Sequence, residues 1–335
     1  MVSMKDIANK CGVSVATVSK ALSGQPDIGI ETREKIRRMA KEMGYFANSA
    51  ARALKTNRTN NIGVLFVDEG SRGLTHEFFS RVLNSFKTEA ERYGYDITFI
   101  NNNTGEKPMT ILQHCLYRGV DGLLLACVDF FDSQVKEVIE SPLPVVTIDH
   151  VFPGRPAVMS DNGFGTEALV DYAYSRGHRK IACIYGDMTA VTEKRLAGFR
   201  NAVSRLNLDI PEDYIVKSEY YQSDLSYVAA NRLLGLPDPP TCILFPDDFS
   251  LIGGMSAIKN AGLRVPDDIS VIGYDGIILS QVMNPRITTY QQDTASMGKA
   301  AAEKLVELIE KGSAKDDSVI NVTGRLLAGE SVGKL

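Results

Sequence analysis

Five cysteines are all that the 335 residues contain, and no two of them stand in a C-x-x-C spacing. Cys11, Cys115, Cys127, Cys183 and Cys242 are odd in number and widely scattered, so neither a zinc site nor a disulfide framework is indicated. Thiols used this way read as the reduced cysteines of a cytoplasmic protein. Long apolar runs are also missing. The run Gly122-Leu123-Leu124-Leu125-Ala126-Cys127 is far too short to cross a bilayer, so no membrane contact is expected. Met1-Val2-Ser3-Met4-Lys5-Asp6 passes straight into a polar helical pattern, with no secretory leader expected. The four histidines, His76, His114, His150 and His178, form no H-E-x-x-H and no metal-ligand spacing. No G-x-S-x-G elbow occurs either. These absences leave catalysis without support, and we expect a non-enzyme with no metal and no cofactor.

What is present is an ordinary globular balance, 44% hydrophobic and 23% charged, long enough for two or three domains. The formal charge of −4 is unevenly divided. Residues 1–60 carry 11 Lys and Arg against 5 Asp and Glu, a net of +6, whereas residues 61–335 carry 26 against 36, a net of −10. A basic segment on an acidic body points to a polyanion-binding module attached to something with another task.

The basic segment reads as three short helices. Ser3 and Asp6 form a capping box, with Ile7, Ala8 and Cys11 facing inward and Gly12 ending the helix. Ser14 caps a second helix, 15–22, whose Val18 and Leu22 lie on one side. After a loop at Gly24-Gln25-Pro26-Asp27, a third helix spans 30–43, with Ile36, Met39, Ala40 and Met43 inward and Gly44 as its C-terminal cap. Residues 48–55 are Ala-rich but too short to be helical alone in water, so they read as a conditional helix in a linker of residues 48–61. From residue 62 short apolar runs alternate with amphipathic stretches. Strands are expected at 62–67, 97–101, 122–125, 145–148, 181–185, 241–245 and 270–274. Helices are expected at 78–93, 108–118, 165–176, 194–206, 223–234 and 249–261. Repeated βα units of this size imply parallel sheets covered by helices.

Two short helices around Gly12 match a helix-turn-helix, whose second helix enters the major groove. Its outer side offers Ser14, Val15, Ala16, Thr17, Ser19 and Lys20. Hydroxyls and a lysine hold phosphates, and small apolar Val15 and Ala16 fit against thymine methyls. Residues 4–60 resemble the DNA-binding headpiece of the LacI/GalR family of bacterial transcription regulators. The motifs are Val13-Ser14-Val15-Ala16-Thr17-Val18-Ser19, Glu31-Thr32-Arg33, Gly44-Tyr45 and Ala51-Arg52-Ala53-Leu54. The likeness continues through Gly177-His178-Arg179-Lys180-Ile181-Ala182, Arg195-Leu196-Ala197-Gly198-Phe199-Arg200 and Pro266-Asp267-Asp268-Ile269-Ser270-Val271-Ile272-Gly273-Tyr274-Asp275.

The resemblance implies an all-α headpiece (1–47), a hinge, and two α/β subdomains, Rossmann-like and of periplasmic-binding-protein type. The first takes 62–159 plus about 291–335, including a helix at 294–311, and the second takes 160–290. It further implies a homodimer on a palindromic operator, with a small, sugar-like effector between the subdomains. DNA contacts are then expected from Lys5, Ser14, Val15, Ala16, Thr17, Ser19, Lys20, Arg52, Leu54 and Lys55. In such a regulator Leu54 wedges into the minor groove, where unstacking one base step bends the duplex. Lys20 stands where an arginine is common, and Ala47 where a proline is.

Sugar-like ligands need planar charged groups for vicinal hydroxyls and an aromatic face for the ring. The resemblance places Arg195, Asp247 and Asp275 near the effector, with Tyr221 and Phe79 as aromatics; His76, beside Glu77 and Phe79, reads as either a ligand contact facing the cleft or plain packing. Pro246 replaces an asparagine common in relatives. Arg195 and Asp275 also fit a buried structural ion pair. Two other functions remain open on the residues. One is a transport-type solute-binding protein sharing the body. The other is an NAD-linked enzyme, because Gly163-Phe164-Gly165-Thr166-Glu167-Ala168 fits G-x-G-x-x-A after a strand, with Asp187 further on.

Overall fold

The computed structural model describes residues 2–46, 58–67, 73–101, 103–104 and 107–335. The chain divides into two compact units, Met1–Thr59 and Asn60–Leu335.

In the first unit, helices α1 (Met4–Cys11), α2 (Val15–Leu22) and α3 (Ile30–Glu42) close on Ile7, Ala8, Cys11, Val18, Ala21, Ile36 and Ala40. The ends are set locally. Ser3 and Asp6 make the reciprocal capping box, and Gly12 leaves α1 at a left-handed φ of 72°. Ser14 then accepts from the Thr17 N–H to start α2.

The second unit begins with β1 (Asn61–Phe66), α4 (Glu77–Arg92) and β2 (Asp96–Ile100), followed by a separate hairpin of β3 (Asn103–Thr104) and β4 (Lys107–Pro108). Then come α5 (Ile111–Arg118), β5 (Gly122–Ala126), α6 (Ser133–Glu140), β6 (Val145–Ile148) and β7 (Ala157–Ser160). The chain crosses into a second layered body with α7 (Asn162–Ser175), β8 (Ile181–Tyr185), α8 (Ala190–Arg205), β9 (Ile215–Lys217) and α9 (Ser223–Leu234). It continues through β10 (Cys242–Leu244), α10 (Leu251–Asn260), β11 (Ser270–Asp275), α11 (Ile278–Val282) and β12 (Thr288–Gln291). Helix α12 (Thr294–Lys311) and β13 (Val319–Val322) return to the first body, and β14 (Arg325–Leu327) goes back to the second.

Two six-stranded sheets result, ordered β13-β7-β6-β5-β1-β2 and β14-β12-β11-β10-β8-β9. Pairing is parallel throughout except for β12 with β14. Every residue of β5 and β6 is buried, as parallel strands covered on both faces require. Helix α12 settles on α4 so closely that a Cβ at Gly298 would stand 2.2 Å from the Val82 carbonyl oxygen.

Two expectations are corrected. Residues 291–335 do not all return to the first sheet, since β14 pairs with β12 and the Ser331 hydroxyl donates to the Val271 carbonyl of the second. The short strands β9, β12, β13 and β14 and the helix α6 were not expected at all. The G-x-G-x-x-A motif also has another explanation. Gly163 and Gly165 lie inside α7, not in a strand-to-helix turn. A Cβ at Gly165 would meet the Tyr274 hydroxyl at 2.4 Å, and one at Gly198 would meet the Gly163 carbonyl oxygen at 2.3 Å. These glycines allow close packing of helix on sheet and helix on helix.

The tightest such approach joins α9 and α10, where a Cβ at Gly253 would sit 1.7 Å from the Ser223 carbonyl oxygen. Backbone cannot yield as a flexible side chain does. Gly253→Ala is therefore expected to cost about 1–3 kcal/mol, read as a lower urea midpoint at unchanged slope.

Candidate functional site

Helix α2 presents Ser14, Val15, Ala16 and Lys20 to solvent, with Thr17 and Ser19 half-buried beside them, and Lys5 is exposed on α1. Val15 keeps 45% of its surface exposed at the start of the helix, an apolar side chain left where a thymine methyl would meet it. Two of the polar candidates are already engaged. The Ser14 hydroxyl caps the helix and lies 2.8 Å from the Thr17 hydroxyl. The Lys20 ammonium is 2.5 Å from the Asp27 carboxylate. Arg52, Leu54 and Lys55 lie outside the described residues.

In the body, the carboxyl ends of β6, β10 and β11 converge on Arg195, and strand ends are the usual place for a ligand in parallel sheets. Arg195 of α8 is the hub. Its Nε donates to Asn162 Oδ1 at 2.8 Å and its Nη1 to the Pro246 carbonyl at 2.7 Å, while Nη2 lies 3.7 Å from Asp275 Oδ1. The guanidinium also covers the Tyr274 ring at 3.5 Å. Position 246 thus contributes its main-chain carbonyl, which proline supplies as well as asparagine.

Asp275 ends β11 with φ at 99°, and Gln292 Nε2 and the Tyr221 hydroxyl donate to its two oxygens at 2.7 and 3.3 Å. Burial raises Asp275 to about 6 against the pull of Arg195, with Asp247 adding repulsion. Asp149, after β6, has φ 59° and is likewise raised by desolvation to about 6. Tyr221, at φ 55°, is a third non-glycine residue here in the left-handed region. Such strain persists only where surrounding contacts impose it, and it gathers at functional sites.

Tyr221 lies between rings. Phe249 stacks at 5.7 Å and 15° to it, and His76 of the first body approaches at 3.8 Å. His76 also meets Phe79 at 4.9 Å. Beside them Glu77 Oε1 accepts from the Ile278 N–H at 2.9 Å, joining α4 to the start of α11 across the cleft, and it pairs with Arg81 at 2.6 Å. The sequence candidates His76, Phe79, Tyr221, Arg195 and Asp275 are brought together.

Asp247 is placed differently from expectation. Its carboxylate accepts from the Tyr221 N–H at 2.8 Å and from the Ser250 N–H and hydroxyl at 2.7 Å each, so it caps its own loop and holds Tyr221. Asn162, Gln292, Asp149 and Glu77 were not foreseen as parts of the site, because each acts on residues far away in sequence. The strand-end placement of Asp149 was the one available signal. Among the described residues no cluster of His, Cys, Asp and Glu could hold a metal, and no helix is long and apolar enough to cross a membrane.

A helix-turn-helix unit joined to an α/β unit of two layered bodies defines a DNA-binding regulator of transcription. The chain belongs to the LacI family of bacterial regulatory proteins, whose model matches residues 3–48, while a periplasmic binding protein-like domain matches residues 170–332. It is 32% identical to the HTH-type transcriptional repressor PurR of Vibrio campbellii over the whole of both chains. It is 31% identical to the probable HTH-type transcriptional repressor ExuR of Bacillus subtilis, covering 100% of this chain and 99% of that one. In fold it is similar to the Lac repressor dimer bound to operator and the anti-inducer ONPF, with 24% identity, TM-score 0.82 and 99% of each chain covered. It is also similar to the regulator CelR in complex with cellobiose, with 23% identity, TM-score 0.70, and 99% of this chain and 100% of that chain covered. The chain is a non-enzymatic, DNA-binding regulator.

Proposed function

We propose that this protein is a cytoplasmic repressor that binds a palindromic operator as a homodimer and answers to a small polar effector, a sugar or sugar derivative, in the cleft. The observation that carries the reading is the set of groups meeting there from both bodies: His76 and Glu77 from one, Tyr221, Arg195, Asp275 and Ile278 from the other. The Asp275 carboxylate and the Arg195 guanidinium have the bidentate geometry that vicinal hydroxyls match, and Tyr221 offers a ring face. The neighbours solved with cellobiose and with ONPF and operator support the same assignment.

A ligand that bonds groups of both bodies favours the closed arrangement, and DNA that prefers one arrangement is coupled to it by that differential affinity. The tilted His76–Tyr221 ring contact favours a second reading, in which the two rings part and a flat unsaturated ring packs against them. Comparing saturated sugars with nucleobases in one calorimetric panel separates the two.

The DNA side is tested by salt. Two headpieces of net +6 release counterions from phosphates, so log affinity for a selected duplex should fall steeply and linearly with log salt, two chains binding each duplex. A flat profile, or one chain per duplex, contradicts the reading.

The effector side carries a pH signature. Asp275 is raised above its ordinary 3.8, so its neutral form stabilises the unliganded fold below about pH 4, and that contribution is lost as pH rises through 6. A hydroxyl donated to Asp275 favours the carboxylate instead. Effector affinity should hold above neutrality and fall as pH drops through about 6, with proton release on binding, as calorimetry in two buffers at about pH 5.5 would show. Affinity that rises on acidification contradicts hydroxyl donation to Asp275.

A further inference from the structure

An acid on the DNA-reading unit has no place in phosphate binding, and Asp27 is such an acid. It follows α2 in the loop to α3, and its carboxylate meets the Lys20 ammonium at 2.5 Å, both side chains half exposed. Within the three-helix segment, the described residues 2–46, no second ion pair accompanies it. Asp27 is not there by chance of a floppy loop. Arg33 Nη2 donates to the Gln25 and Ile28 carbonyls at 2.9 and 3.0 Å, pinning the loop on either side of it. The Gln25 N–H in turn bonds the Lys20 carbonyl, tying the loop to the end of α2. Lys20 lies one turn beyond Ala16 on the exposed face of α2, so Asp27 reaches into the row of side chains that addresses DNA.

We propose that Asp27 is a specificity-determining residue that acts through Lys20, withholding one positive charge of each headpiece from DNA of the wrong sequence. Binding to arbitrary DNA is driven by neutralising phosphates and carries no sequence information. A lysine already paired gains little from a phosphate, and the carboxylate released beside the backbone repels it. On the right sequence Lys20 exchanges Asp27 for a base-edge acceptor such as guanine O6 or N7, and Asp27 is free to accept from a cytosine amino group. An exposed pair is weak enough for DNA to open. The pair therefore lowers nonspecific affinity more than operator affinity.

The test uses the full chain and two duplexes, one enriched from random-sequence DNA by the wild-type protein and one of mixed sequence lacking the enriched site. Asp27→Asn keeps the shape and frees Lys20. On the mixed duplex its affinity should rise roughly threefold or more, and the log–log salt slope should steepen by about 0.9 per headpiece, while the enriched duplex gains less. Most of the gain and of the steepening should disappear when Asp27→Asn is placed on a Lys20→Met background, which a general charge effect would not produce. An unchanged slope on the mixed duplex overturns the proposal, as does an equal gain on both duplexes. Weakened binding to both, with headpiece helicity retained, makes Asp27 a structural residue and overturns it too. Failure to enrich any sequence would count against operator recognition itself, and the mixed-duplex slopes still decide the role of Asp27.

Discussion

Asp275→Asn is expected to weaken binding of the proposed effector about tenfold or more and to leave operator binding without effector intact. The size follows from replacing a hydrogen bond between a ligand hydroxyl and a charged group, which contributes about 1.5–3 kcal/mol. The substitution is close to isosteric, and asparagine accepts the positive φ of 99° that this position demands. What changes is chemistry: one of the two oxygens becomes an NH2 that faces either Gln292 or the Tyr221 hydroxyl as a second donor. Asp275 lies in the second unit, outside the helix-turn-helix, so the DNA-contacting side chains themselves are unchanged. Calorimetry with the effector and gel shifts without it read the two parts independently. Unchanged effector affinity would make Asp275 and Arg195 a structural ion pair, and loss of folding would say the same.

Arg155→Met is expected to destabilise the fold by about 3–4 kcal/mol. Arg155 is only 4% exposed and meets four carbonyls. Its Nε and Nη2 donate to Ile139 near the end of α6, Nη1 to Leu143 at 2.9 Å and to Ala314, and Nη2 also to Ser141. One guanidinium thus satisfies the carboxyl end of α6, the loop after it and the segment between α12 and β13. Methionine fills the space and leaves buried acceptors without donors, each costing about 1–3 kcal/mol where water cannot reach. Arg155→Lys keeps the charge but not the fork, so it should recover part of the loss. Equal midpoints for the wild type and Arg155→Met in urea unfolding would contradict this role.

Local features of this chain are legible in its residues, and distant ones are not. The Ser3–Asp6 box, the left-handed Gly12 and the Ser14 cap involve neighbours three or four apart, and all three stand as expected. The central strands are equally legible, because a run such as Gly122–Ala126 has no polar face and must be covered twice. The edge strands β9, β13 and β14 have only three or four residues and mixed polarity, so no period emerges. Helix α12 was expected from the resemblance, whereas the final return of β14 to the second sheet rests on pairing with β12 and bonds such as Ser331 to Val271, which no local pattern announces.

The site divides in the same way. Arg195 and Asp275 stand in motifs recognisable by resemblance, but their partners Asn162 and Gln292 lie 33 and 17 positions away, and Glu77 accepts from Ile278 across 201. Asp247 sits at a strand end as foreseen, yet Ser250, three residues on, turns its carboxylate inward. The Lys20–Asp27 pair spans seven residues across a loop, a spacing for which helical periodicity offers no rule.

Reciprocal linkage between the cleft and the DNA tests the central claim most directly. A ligand found by thermal-shift screening of sugars, sugar acids and nucleobases is titrated into the protein with and without a saturating enriched duplex, and the duplex is titrated with and without the ligand. The account predicts that ligand and duplex change each other's affinity by the same factor, of about 5- to 150-fold, and that Asp275→Asn shifts the ligand's effect to about tenfold higher concentration or more. A ligand that binds the cleft tightly while operator affinity stays the same would contradict it.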